Sequence, residues 1–406
     1  MSDLSPAYYD KFACLGSECP DTCCQGWRIT LDKKTHEKYI TSKDKKISEI
    51  SNKYIKKITP PDDNLFSYIA MNNKGHCPFL DKSKLCGLQV KYGENILSGT
   101  CDAFPKIQVQ YPDLTKLNIL DISCPEAARI CLTDPTSMKI LENKKQIKNN
   151  YLKFFEKSFT YSKIGEKVLN FCFSLITNKK FKLSETSLII NLIIQERENL
   201  CKNKNLVDSF FIDVKKRFVG LKIINFDTSY IKIEFLNDFV SYFKKHSENT
   251  EVNAHSFLNL LNDAHYELIG RFKNLDEAIT NFKYIEKKYF KQYNNNKNYI
   301  FRNFYANELL QSCIIFTNPK RFKENTLLLS YLTDVIIRYL CLSDLSKKKE
   351  LNDTNLVDYF YKFKRVYPLY SSFTPFMQKK ISNNILLLLK KIDPNSAFNS
   401  LYFLNN

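Results

Sequence analysis

Glycine is scarce, arginine is rare, and proline vanishes from the middle of the chain; each shortage excludes something. The 406 residues include 9 glycines and no G-x-G triplet, so the glycine-rich turn with which a Rossmann-type sheet cradles a nucleotide is missing. No C-x2-C pair occurs, which removes the paired knuckles usual in structural zinc sites. No window approaches the roughly eighteen uninterrupted apolar residues of a membrane span, and the opening MSDLSPAYYDKF has no apolar run after a basic start. A cytoplasmic protein with no membrane segment is expected. Only nine arginines stand against 52 lysines, a poor supply of the planar fork that reads bases and grips phosphates.

The formal charge of +18 is therefore not read as a nucleic-acid signal. It is also uneven: residues 1–135 carry 18 basic against 17 acidic side chains, and the remainder 43 against 26. The later part owns the basic surface. That surface is read as a solvated face that can also attract an acidic protein partner.

Composition changes near Pro135. Nine of thirteen prolines and six of nine glycines lie at or before it, and none of the prolines falls between Pro135 and Pro319. A stretch so poor in helix breakers, and rich in Leu, Ile, Phe and Lys, predicts a series of helices. The fold class expected is mostly α, with an irregular cysteine-rich domain of little β over 1–135 and a multi-helix domain over 136–406. Phe257, Leu261, Ala264 and Leu268 recur at helical spacing, as do Leu356, Phe360, Phe363 and Tyr367 after a cap at Asp353. Helix breaks are expected at 178–180, 202–204, 246–249, 294–296 and 347–349. In the first third, Trp27–Leu31 predicts a short strand, Thr35–Tyr54 a helix, and Lys106–Tyr111 pairs with Leu117–Ile122 as a hairpin.

What is plentiful is cysteine, thirteen in all, nine of them in the first third. Cys14-x4-Cys19-x3-Cys23-Cys24 opens the set, followed by Cys77, Cys86, Cys101 and Cys124. These sit among Gly, Pro, Asp and Ser, in loops that can present a thiolate. In a reducing compartment an odd number of cysteines points to metal or redox chemistry rather than a disulfide framework. The eight are the expected metal ligands: an all-sulfur supply suits zinc or an iron–sulfur cluster better than hard cations. Cys23 and Cys24, adjacent in extended backbone, point different ways and need not bind the same ion. Cys19 and Cys23 match the first spacing of the C-x3-C-x2-C motif of radical S-adenosylmethionine enzymes, but Gly26 stands where its third cysteine belongs. Cys131, Cys172, Cys201, Cys313 and Cys341 lie in apolar helical stretches and are read as packing residues. His36, His76, His246, His255 and His265 are scattered, and only His76 adjoins the cysteines. Asp102, Asp121 and Glu126 are near enough in sequence to take a proton from a target lysine, or simply to cap turns.

The cysteine pattern with CPFLD, LCGLQ and CDAFP resembles the cysteine-cluster family of zinc- or iron-chelating bacterial proteins. With DTCCQGWRITLD, CPEAAR and the later NYIFRNFYANELL, the chain resembles the flagellin lysine-N-methylases. The resemblance implies an S-adenosylmethionine-dependent methyltransferase with a [4Fe-4S] cluster and flagellin as protein partner. In that case an open iron could hold the amino and carboxylate groups of S-adenosylmethionine, or the cluster is structural and the cofactor lies between helices; the first is preferred. The alternative from another class is a non-catalytic metal-chelating or metal-delivery protein.

Overall fold

The computed structural model describes residues 3–60, 62–110, 116–143, 163–181, 229–247, 252–312 and 336–366, with isolated positions between 183 and 212. The architecture is mostly helical, and among the described residues two small sheets lie in the first 143 residues, the last of their strands falling just past Pro135. One sheet has the order β5-β6-β1-β7, built from β1 (Asp3–Pro6), β5 (Lys106–Gln110), β6 (Lys116–Leu120) and β7 (Ile140–Asn143). β5 and β6 are the expected hairpin, with Ile107 opposite Ile119 and Val109 opposite Leu117. β1 then joins β6 in parallel and β7 antiparallel. The other sheet is antiparallel, β2 (Ile29–Leu31), β4 (Ser67–Ile69) and β3 (Ile55–Lys57) in that order. β2 is the core of the strand expected over 27–31.

The single helix expected over Thr35–Tyr54 is two, α1 (Lys33–Ile40) and α2 (Lys45–Tyr54). Side-chain caps decide it: Asp32 accepts from the Thr35 N–H at 2.8 Å, and Asp44 restarts the chain by accepting from the Lys46 N–H at 2.9 Å. Short helices α3 (Gly87–Tyr92), α4 (Gly99–Ala103) and α5 (Pro125–Leu132) each begin beside a cysteine or carry one.

The helical part comprises α6 (Lys163–Thr177), α7 (Ser229–Ser247), α8 (Val252–His265), α9 (Leu275–Ile285), α10 (Lys291–Ser312), α11 (residues 336–348) and α12 (Asp353–Val366). Single π-helical turns follow α8 and α9. Phe257, Leu261, Ala264 and Leu268 are all buried, as are Leu356, Phe360 and Phe363; Tyr367 lies outside the described residues. Helices end as expected at 178 and 348; of the break expected at 246–249, His246 and Ser247 are still helical and 248–249 lie outside the described residues, as does 202–204. The break expected at 294–296 is absent, because α10 runs through it. Asn295 and Asn296 face solvent, where an asparagine costs a helix only about 0.7 kcal/mol relative to alanine. The cap of α12 is Asn352, whose side chain accepts from the Thr354 N–H at 2.7 Å. Asp353 instead holds the Tyr293 hydroxyl at 2.9 Å and Lys297 Nζ at 2.6 Å. Among the described residues no helix is long and apolar enough to cross a membrane.

Burial does not follow the composition change at Pro135. Tyr8, Leu117, Ile119, Leu120 and the apolar side of α5 share one large core with the helices from α6 to α12. Ile29, Leu31, Tyr39, Ile47, Ile55, Ile69 and Phe79 form a second, smaller core, against which Cys24, Cys77, Cys86 and Cys101 pack. The segment NYIFRNFYANELL falls in α10 and ties the two halves together through buried amides. Asn303 Nδ2 donates to the carbonyls of Cys131 (3.1 Å) and Asp134 (2.9 Å), and Asn307 Nδ2 donates to that of Leu120 (3.2 Å). These asparagines satisfy carbonyls that the end of α5 and the end of β6 would otherwise leave buried and unpaired.

Candidate metal centre and the helix that reaches it

The first cysteine loop is shaped by its own polar residues. Gly16 and Gly26 adopt left-handed φ of 56° and 69°, a backbone that a β-carbon disfavours. Asp21 accepts from the Thr22 N–H at 2.8 Å, Thr22 Oγ1 from the Cys24 N–H at 3.1 Å, and the Cys23 carbonyl from the Trp27 indole at 2.6 Å. The second loop runs alongside the first. Cys77 N donates to the Cys24 carbonyl at 2.7 Å, Gly26 N to the Gly75 carbonyl at 3.0 Å, and Gln25 bridges His76. Cys24 and Cys77 thus lie side by side.

Asp81 then folds the second loop back. Its carboxylate accepts from the N–H groups of Ser83 (2.8 Å) and Leu85 (2.9 Å), Leu80 bridges Cys86, and Gly87 N donates to the Phe79 carbonyl at 2.8 Å. A β-carbon on Gly87 would come within 3.1 Å of that carbonyl oxygen, a tight approach that favours glycine at this turn. Cys86 precedes α3. Cys101 sits in the first turn of α4, its N–H held by the Ser98 hydroxyl at 3.2 Å, and Cys124 caps α5 ahead of Pro125.

All eight cysteines singled out from the sequence gather in this region, in two neighbourhoods that meet at Cys23–Cys24. Cys24, Cys77, Cys86 and Cys101 border the smaller core. Cys19 lies within electrostatic reach of Cys14 and Cys23, and Cys124 within reach of Cys19 and Cys23, along the junction with the helices. All eight are free thiols. As the side chains stand, no three or more of the described His, Cys, Asp or Glu groups converge on a point that could hold a metal ion.

The thiols are unequal. A hydrogen bond from the Cys24 thiol holds Cys23 below the ordinary thiol value, with Arg365 also lowering it against the penalty of burial, while Cys24 is correspondingly pushed up. Burial pushes Cys77, Cys101 and Cys124 up to about 12, and raises Cys19. Opposing burial, backbone N–H groups point at sulfur: that of Phe79 at Cys77, that of Asp21 at Cys19, and those of Ala127 and Glu126 at Cys124. Such donors favour the thiolate form.

The remaining expectations divide. Cys131 and Cys172 are wholly buried, with Cys131 in contact with Met138, and Cys341 is buried too; Cys201 and Cys313 lie outside the described residues. His36 bonds Ser67 and His265 bonds Asn237, both packing roles. Asp121 caps a turn by accepting from the Ser123 N–H at 2.9 Å, and Glu126 is clamped by Arg129. Asp102 lies beside Cys101.

Sequence reasoning missed Arg365. From the last turn of α12 its Nη1 donates to Asp21 at 2.6 Å, inside the first cysteine loop, and its Nε donates to the Ser123 carbonyl at 2.8 Å, beside Cys124. One residue back, Lys364 pairs with the buried Glu308 of α10. The available signal was the shortage of arginine: Arg365 stands in a run otherwise supplied with lysine, where a solvated face needs no fork.

The sequence model of the FliB lysine N-methylase C-terminal domain matches residues 169–390, more than half of the chain. The chain belongs to the FliB lysine N-methylase family. It is 37% identical over 158 residues to the flagellar biosynthetic protein FliU of Salmonella muenchen, a match covering 39% of this chain and 93% of FliU. It is 34% identical over 177 residues to the lysine-N-methylases of Salmonella typhimurium and Salmonella choleraesuis, covering 43% of this chain. The match spans only 42% of each of those two proteins. No solved structure matches. The FliB-type region carries Glu308, Lys364 and Arg365 but none of the eight clustered cysteines, so the family match and the cysteine pattern are independent observations. Their meeting point is Arg365.

Proposed function

We propose that the protein is a lysine N-methyltransferase that modifies surface lysines of flagellin with S-adenosylmethionine, with an iron–sulfur cluster, zinc being the alternative metal, at or near the site. The observation that carries this is the presence of eight free thiols, in two neighbouring groups, beside a FliB-type helical region. Family membership supports lysine methylation, and the flagellar naming of FliU supports flagellin as the substrate.

The donor set fits a thiophilic metal. Sulfur is the ligand throughout, the nearby carboxylates of Asp21 and Asp81 are engaged in shaping loops, and several sulfurs already accept backbone N–H bonds. Thiols that burial keeps protonated would release their protons on binding metal, which ties occupancy to pH and to folding of the loops. Cys24, Cys77, Cys86 and Cys101 would hold metal in one neighbourhood, and Cys14, Cys19, Cys23 and Cys124 in the other. When bound, S-adenosylmethionine supplies an electrophilic methyl group. The target lysine must lose its proton before its nitrogen can attack that methyl, and Asp102, beside Cys101, is the carboxylate left without a capping or ion-pairing role described above. Asp102 is the proposed acceptor of that proton.

The test uses full-length protein purified without oxygen, purified flagellin and S-adenosylmethionine carrying an isotopically labelled methyl group. Label on flagellin lysines, with iron and sulfide in near-equal amounts in the enzyme, is expected. Stoichiometric zinc without sulfide would remove the cluster, and unlabelled flagellin would remove the transfer reaction.

A further inference from the structure

A buried guanidinium should have every N–H matched, because an unpaired buried donor keeps the full cost of leaving water. The Arg365 side chain is 7% exposed. Its Nε and Nη1 are satisfied by the Ser123 carbonyl and Asp21, but its buried Nη2 has no partner. This vacancy faces a defined chemical setting. The two anchors, Asp21 and Ser123, come from the loops that carry Cys19, Cys23 and Cys124, and Arg365 acts electrostatically on both Cys19 and Cys23. The Tyr361 ring, centred 5.3 Å from the guanidinium carbon, forms one wall.

The nearby charges are already paired: Arg365 with Asp21, Lys362 with Asp358 at 3.5 Å, and Lys364 with Glu308. A lone anion would unbalance the site. A zwitterion would not, since its carboxylate can meet the free donor while Asp358, within electrostatic reach of Asp21, faces its ammonium. The same guanidinium already recognises one carboxylate through Nη1, and a fork is suited to oxygen anions.

We propose that Arg365 is a substrate-binding residue whose free Nη2 takes the carboxylate of an α-amino acid group, that of the methionine moiety of S-adenosylmethionine. This rests on the reading that S-adenosylmethionine is the methyl donor, and it assigns the amino acid group of that donor to Arg365 instead of to an open iron. The site lies between α12, the 19–23 loop and the 121–124 turn.

Isothermal titration of the full-length, metal-loaded protein with S-adenosylhomocysteine and with 5′-methylthioadenosine tests it, because only the first carries the amino acid group. Wild type should favour S-adenosylhomocysteine. Arg365→Met should weaken that ligand about 10- to 100-fold, leave 5′-methylthioadenosine unchanged, and retain wild-type iron content. Arg365→Lys, which keeps the charge without the fork, should lose the same selectivity to a smaller degree and serves if the methionine variant does not fold. Asp21→Asn breaks the clasp but leaves the guanidinium, so selectivity should survive. Unchanged selectivity in both Arg365 variants would overturn the assignment alone. Equal loss of both ligands together with iron, reproduced by Asp21→Asn, would also overturn it and make Arg365 a clasp. A wild-type protein that binds neither nucleoside would instead remove S-adenosylmethionine, and this inference with it.

Discussion

Replacing Lys364 by methionine should destabilise the protein strongly at pH 7 and only weakly at pH 5. Glu308 is buried on α10, Lys364 is nearly so on α12, and each is the other's counter-ion. The second oxygen of Glu308, Oε1, has no partner. Burial raises the Glu308 carboxyl above its ordinary value, Lys364 pulls it back, and Asp121 adds to the rise. Without the lysine the carboxylate is left uncompensated, a change that costs about 3–5 kcal/mol at buried sites. Proton uptake sets a ceiling: keeping protonated at pH 7 a carboxyl whose unfolded value is about 4.3 costs about 3.7 kcal/mol. At pH 5 the same step costs about 1 kcal/mol.

The sign follows from linkage. A carboxyl raised in the folded state binds more protons there than in the unfolded chain, so stability falls as pH climbs from the unfolded value through the folded one. The variant should therefore lose about 3 kcal/mol relative to wild type at pH 7 and about 1 kcal/mol at pH 5. Titrations common to both proteins cancel in that difference. Urea unfolding followed by circular dichroism at the two pH values measures it, and the double variant Glu308→Leu with Lys364→Met should recover most of the loss. A Lys364→Met deficit of equal size at both pH values would refute the charge argument and assign the loss to packing alone.

Tyr8→Phe should cost about 2 kcal/mol, since the buried hydroxyl donates to Asn307 and accepts from the Leu120 N–H at 3.3 Å; a shift of under half that in the same urea assay would show that water replaces the hydroxyl. Binding to flagellin should weaken as ionic strength rises, because the excess of lysine after Pro135 acts at long range; a dissociation constant independent of salt would assign the charge to solubility.

Much of the fold is legible in the sequence because it depends on local pattern. The spacing of Phe257, Leu261, Ala264 and Leu268 can be satisfied only by one buried helical face, and KIQVQY against Leu117–Ile122 alternates as a hairpin must. Local errors came from polar residues with two uses. Asp44 looks like another helix-surface residue until its carboxylate is seen to cap a new start, and Asn295 and Asn296 look like a break although solvent tolerates them within α10. The cysteine loops were visible because loop-forming Gly, Pro, Asp and Ser surround these thiols. Their grouping was not, since it depends on the 24–26 and 75–77 segments lying side by side. Arg365 is 341 positions beyond Cys24 in the chain, and its role follows from α12 packing beside α5, a long-range contact no local pattern encodes.

The most direct test of the central claim is mass spectrometry of flagellin co-expressed with the wild-type protein and with single cysteine variants, reading added methyl mass on each lysine. Replacing Cys19, Cys23, Cys77 or Cys101 by serine should abolish methylation while helicity and flagellin binding persist, whereas Cys172→Ala, in the helical core, should leave it intact. Full methylation by a folded Cys77→Ser or Cys23→Ser protein that has lost its metal would contradict the account.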